Sequence, residues 1–324
     1  MAPDSIEILN TLAVSLARQG KESEAIAFYN RALKIKPGDP VTTRNLGIAC
    51  FRARKYSQAL PLLKSFAEST PTFQSLDLTG LTLFALDRYS EAAPYLERAS
   101  QLNPRDIPTL DMLGKAYYHA KDYDRVSDVF NRIMAVDTNS AAAHTMLGMA
   151  YDKMGYVDKA EAEFQAAAKT DSNYIGVHSG LGIIYWKKGN FDQASAEFRQ
   201  ELRNYPHDPT ANYLLGDILR RQNSPAQAIP YLEAALAANP NYPEALFELG
   251  KCRMMLDQPA SAIDPLRRAV TLKPGYSEAH FVLGSALRKL GRTGEANQEQ
   301  KTAERIQADA RARGITSLES DAPR

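Results

Sequence analysis

The pair Leu-Gly returns along this chain at a fixed distance. It stands at Leu46-Gly47, Leu113-Gly114, Leu147-Gly148, Leu181-Gly182, Leu215-Gly216, Leu249-Gly250 and Leu283-Gly284. The last six copies are 34 residues apart each time, and the first fits with one residue deleted. Thr79-Gly80 fills the gap, and Leu12-Ala13 supplies an earlier copy. Nine units result, opening at Ile6, Pro40, Phe73, Ile107, Ala141, Ile175, Pro209, Pro243 and Ser277. A period of this length marks a stacked architecture in which no unit buries its apolar face alone.

Further landmarks keep the same register. Twelve residues after the small residue comes alanine: Ala25, Ala59, Ala92, Ala160, Ala194, Ala228, Ala262 and Ala296, with Val126 the exception. Four residues later stands a large apolar group, one of Tyr29, Leu63, Leu96, Phe130, Phe164, Phe198, Leu232 and Leu266. Proline closes most units, as at Pro37, Pro71, Pro104, Pro206, Pro240 and Pro274. Apolar or small residues at places four, seven, eight and eleven form the stripe of a first helix. Gly or Ala at place eight and alanine at place twenty let a second helix approach closely. Turn residues such as Gly20, Gly155, Gly189 and Gly291 separate the two helices, and the closing proline resets the chain.

With these landmarks the chain resembles the tetratricopeptide repeat family from residue 6 to about 310. The resemblance implies an all-α fold, a right-handed superhelical solenoid of nine antiparallel helix hairpins. The expected organisation is an N-terminal cap over 1–5, repeats at 6–39, 40–72, 73–106, 107–140, 141–174, 175–208, 209–242, 243–276 and 277–310, and a flexible tail over 311–324. Asp4 or Ser5 reads as the N-cap of the first helix. In the last unit Gln300 takes the large apolar place within a polar run, as the open end of a solenoid requires, and Gly314 reads as its stop. The first unit starts at once with Ile8, Leu9, Leu12 and Leu16, which leaves three readings: trimmed upstream sequence, ordinary partial exposure, or a homo-oligomer through this uncapped repeat.

Composition narrows the function. Hydrophobic residues at 44% sustain a packed core. Lys and Arg total 39 against 38 Asp and Glu, so no whole-molecule field draws nucleic acid. Cys50 and Cys252 belong to no CxxC pair, which argues against zinc or a disulfide framework. No apolar run is long enough for a membrane span. The N-terminus lacks a signal-peptide pattern, so the expected compartment is cytoplasmic, or periplasmic or secreted if a leader has been removed. His144, His178 and His280 share place four, a packing position, and His207 reads as a surface turn residue. Acidic pairs such as Glu161 and Glu163 read as solvated faces. Gly180-Leu181-Gly182 is a lone G-x-G inside a helix, and no HExxH, phosphate loop or GxSxG elbow occurs. The reading is therefore of a non-enzyme that needs no cofactor.

Solenoids of this family curve so that first helices line a groove. Places five and twelve share one face, two turns apart. Place twelve gives Phe51, Phe84, Tyr118 and Trp186; place five gives Tyr213, Phe247 and Phe281 in three successive units. Such rings suit an extended peptide or amphipathic helix; the alternative is that they fill space between neighbouring first helices. At place thirteen Arg18, Arg52, His119, Lys153, Lys187, Arg221 and Lys289 recur, and Arg52, Lys153, Lys187, Arg221 and Lys289 form a candidate basic ladder. The helix dipole favours cations there without any ligand. Two ligand patterns of the family are missing. The carboxylate clamp meets Asn10, Val14, Arg44 and Ile48, and the asparagine ladder keeps only Asn45 before Leu78, Met112 and Met146. The expected function is an adaptor that holds a protein or peptide in its concave groove. The alternatives are a structural subunit of a secretion, pilus or envelope complex, or a substrate-presenting accessory of a separate enzyme.

Overall fold

The computed structural model describes residues 5–312. Two compact units make up the chain, Met1–Thr170 and Asp171–Arg324. Among the described residues the first unit holds five hairpins: α1 (Ile6–Arg18) with α2 (Glu22–Ile35), α3 (Pro40–Arg52) with α4 (Tyr56–Ser69), α5 (Phe73–Phe84) with α6 (Tyr89–Leu102), α7 (Ile107–His119) with α8 (Tyr123–Val136), and α9 (Ala141–Lys153) with α10 (Val157–Thr170). The second holds four: α11 (Val177–Lys187) with α12 (Phe191–Asn204), α13 (Pro209–Arg221) with α14 (Pro225–Ala238), α15 (Pro243–Met255) with α16 (Pro259–Leu272), and α17 (Ser277–Lys289) with α18 (Thr293–Ala312). The Gly314 stop and the tail from 313 onward lie outside the described residues, while Arg311 and Ala312 still belong to α18.

Local chemistry starts and stops these helices where the period places them. Ser5 caps α1 by accepting the Ile8 N–H, and Asp106 caps α7 by accepting the Thr109 N–H at 3.0 Å. At the first turn of each hairpin one residue has positive φ: Gly20, Arg54, Asp87, Lys121, Gly155, Gly189, Asn223, Asp257 or Gly291. The following N–H reaches back five residues, as Lys55 N–H does to Cys50 O at 2.9 Å, and closes the helix. Only α11 starts off register, two residues after Ile175. Its N-cap is Gly176, at φ 86, which has no side chain to offer. Glu201 of α12 replaces the cap, accepting the N–H groups of Gly176 (2.9 Å) and Ser179 (3.1 Å). Burial pushes the Glu201 carboxyl above its ordinary value, against the pull of those two bonds.

The small residue of each first helix lies against the large apolar residue of its own second helix. A Cβ on Gly80 would come within 2.5 Å of Leu96 Cγ, and one on Gly182 within 2.5 Å of Phe198 Cε1. Leu96 and Phe198 are fully buried. Place four adds a polar clip in three hairpins. His144 meets Glu163 at 2.7 Å, His178 meets Glu197 at 2.6 Å, and His280 meets Glu299 at 2.6 Å. Glu163 is thus engaged across the hairpin instead of standing on a solvated face.

Each second helix then packs on the next first helix within its unit. Thr79 Oγ1 donates to Leu63 O at 3.1 Å across such a joint. First helices also touch one another: α1, α3, α5, α7 and α9 in sequence, and α11, α13, α15 and α17 in sequence. Second helices make no comparable contact among the described residues. Closer spacing of the first helices makes them the inner wall of each unit and the second helices its outer wall. The joint buries place three, as at Thr42 and Ala279, and place seven, as at Leu113. In α1, with no second helix before it among the described residues, the same places hold Ile8 and Leu12, both exposed. No helix among the described residues is long and apolar enough to cross a membrane.

Candidate protein-interaction surface

In the first unit the inner wall carries an apolar strip, interrupted by half-buried Asp77 of α5 and by the Asp111–Lys115 ion pair of α7. Ile48 and Phe51 of α3, Leu78, Leu81 and Phe84 of α5, Met112 and Tyr118 of α7, and Met146 of α9 are all half-buried and packed on the core beneath. The three predicted rings are tied down at one edge. Phe51 meets Tyr56 edge-on with centroids 5.8 Å apart, Phe84 meets Tyr89 at 5.0 Å, and Tyr118 meets Tyr123 at 5.5 Å. Each partner stands five residues on, across the hairpin turn, and the period holds it at place seventeen. The signal was in the sequence, but its meaning depends on how the turn folds. Burial pushes the Tyr118 phenol up to about 12.

The second unit separates its three predicted rings. Tyr213 is half-buried and packs on Tyr242 with centroids 4.9 Å apart. Phe247 is 5% exposed, packs on Tyr276 at 4.7 Å and lies under Lys251. Phe281 is 56% exposed. Tyr242 and Tyr276 each precede the next first helix, so a ring at place five is covered by the hairpin that follows. After α17 the chain runs into the long α18 and supplies no such tyrosine. Trp186 is half-buried, and its Nε1 donates to Asp217 Oδ2 at 3.3 Å.

That Asp217 belongs to a charged group the periodicity did not reveal. Asp217 of α13 and Glu248 of α15 are buried carboxylates on the inner wall. Arg220 Nη2 donates to Asp217 at 3.0 Å, and Arg220 also pairs closely with Glu248. Arg221 Nε donates to Asp217 Oδ2 at 2.8 Å, and Lys251 Nζ to Glu248 Oε1 at 3.0 Å. Burial pushes Glu248 above its ordinary value, with Lys251 and Arg220 pulling the other way. Burial works against the Arg220 charge, but Glu248 and Asp217 outweigh it.

The candidate basic ladder sits at helix ends and is exposed throughout. Arg52 lies 3.9 Å from Glu22, Arg221 is bound to Asp217, and Lys289 pairs with Asp257 at 2.6 Å. Lys153 and Lys187 complete it. Among the described residues no three His, Cys, Asp or Glu side chains gather as a metal site would require.

Family models of the tetratricopeptide repeat match residues 6–39, 83–150 and 141–174, and a further one matches 44–107, 180–243 and 214–277. No curated protein matches the chain. Among solved structures the chain is similar to YrrB, a TPR protein with an unusual peptide-binding site, at 23% identity and TM-score 0.50, over 56% of this chain and 94% of that one. It is similar to the Cut9–Hcn1 hetero-tetramer of the APC/C at 16% identity and TM-score 0.62, over 86% of this chain and 55% of that one. Pseudomonas aeruginosa pilF matches at 18% identity and TM-score 0.56, over 67% of this chain and 96% of that one. At these identities the likeness speaks for the fold alone. Stacked small-and-large hairpins and the matching family models lead to one conclusion: the chain belongs to the tetratricopeptide repeat family.

Proposed function

We propose that the protein is an interaction scaffold that holds a segment of a partner protein against the inner wall of its first unit. One observation carries this reading. The small-residue face of each first helix is used up by its own hairpin, yet the neighbouring face keeps Ile48, Leu78, Leu81, Met112 and Met146 only half-buried. Such a strip costs solvation until another apolar surface covers it. Unbranched methionines adapt to the shape of what they meet, and an amphipathic helix or extended apolar segment fits a wall of this kind. The similarity to YrrB, a TPR protein with an unusual peptide-binding site, is consistent with this use of the fold.

Site-specific photocrosslinking in the native cell tests the reading. A photoreactive residue in place of Met112 or Met146 is expected to capture a partner that one in place of exposed Arg98 on outer helix α6 does not. Capture from Arg98 alone would refute the inner-wall assignment.

A further inference from the structure

The inner wall of the second unit carries positive charge that its own acids do not match. Arg220, Arg221 and Lys251 surround two carboxylates, Asp217 and Glu248. Asp217 is saturated by Arg220, Arg221 and the Trp186 indole. Glu248 is held by Arg220 and Lys251. Arg220 is therefore spent between both acids. Arg221 engages Asp217 through Nε, which leaves the terminal amino groups of its fork for another acceptor, and its side chain is 40% exposed. The Lys251 ammonium has two further N–H groups, and its side chain is 27% exposed. Phe247 lies directly beneath that ammonium, at 4.7 Å.

Buried acids fix these two cations in place before any ligand arrives, so little side-chain freedom remains to be lost on binding. A guanidinium with free terminal donors on α13 and an ammonium on the neighbouring first helix α15 match the carboxylate oxygens of an acidic segment. We propose that this wall binds an acidic segment of a partner protein, whose carboxylates engage Arg221 and Lys251. The proposal rests on the reading that partners dock on first helices, and it adds the chemistry of what docks on the second unit. Nucleic acid is the weaker candidate, because 39 basic residues balance 38 acidic ones over the chain and no broad positive field steers a polyanion.

The chain's one tryptophan, Trp186, is hydrogen-bonded into this cluster and reports on it. The experiment titrates the full chain, at low salt, with a synthetic peptide of alternating glutamate and alanine. Parallel titrations use the lysine–alanine peptide and a single-stranded oligothymidylate. The glutamate peptide alone is expected to change Trp186 fluorescence saturably, and added salt should weaken it. Arg221→Gln with Lys251→Gln should lower that affinity about tenfold with unchanged helical circular dichroism. Arg267→Gln with Arg268→Gln on outer helix α16 removes the same charge and should leave the affinity as it was. Equal loss in both double variants, equal response to the lysine peptide or the oligonucleotide, or no response to the glutamate peptide would each overturn the proposal. Crosslinking from Met112 reports on the first unit, so success there with failure here sinks this inference alone.

Discussion

Gly114 lies directly under the ring of Phe130. A Cβ on Gly114 would stand 2.3 Å from Phe130 Cε2, and Phe130 is fully buried with its own neighbours on every side. Gly114→Ala is therefore expected to destabilise the first unit by about 2 kcal/mol, the ordinary cost of overpacking a closed core. Gly284→Ala should cost less. There Gln300 replaces the large apolar residue, and the atom nearest the added Cβ is Ala296 O at 3.1 Å. Urea midpoints of the two variants check the order, and equal losses would contradict it.

Phe247 and Phe281 share a place in the repeat but not an environment, at 5% and 56% exposure. Phe247→Ala should cost about 3 kcal/mol by opening a cavity beneath Lys251 and beside Tyr276. Phe281→Ala should stay within about 0.5 kcal/mol of the parent. Of the two, only Phe281→Ala tests binding without a stability penalty, and thermal unfolding of the single variants decides the contrast.

The Arg220–Glu248 pair should behave as a unit. Glu248→Leu leaves a half-buried guanidinium facing Asp217 alone and frees Lys251, at a cost of about 3 kcal/mol. Adding Arg220→Met removes the orphaned charge and should restore most of that loss. A double-mutant cycle measures the coupling, and simple additivity of the two losses would contradict the arrangement.

Alkaline pH should unfold the protein through its buried phenols. Burial raises Tyr118 from 10.0 to about 12 and pushes Tyr213 and Tyr242 up as well. In each case the folded state holds the proton to higher pH than the unfolded chain does. The stability this represents is complete below pH 10 and drains away as pH climbs towards 12. Phenolate absorbance should show these tyrosines ionising last, and Tyr118→Phe should soften the loss of stability across that window.

Much of the fold was legible in the chain itself, because the information is local and periodic. Spacing of small and large residues identifies the face each helix buries, and caps and turn residues mark its ends. Ser5, Asp106 and the small residues beneath Leu96 and Phe198 do what their spacing requires. The same spacing assigns Phe51, Phe84 and Tyr118 to one face of their helices.

What a residue at a given place meets was settled only by packing. His144 and Glu163 stand nineteen residues apart on different helices, and nothing in either helix alone pairs them. Phe247 is buried because Tyr276 arrives from the following hairpin, and Phe281 stays open because no such ring follows it. Asp217 and Glu248 read as ordinary polar residues until the stacking of α13 on α15 encloses them with Arg220. Periodicity fixes direction within one helix. Exposure, pairing and charge balance are sums over neighbours that only the stacked hairpins bring together.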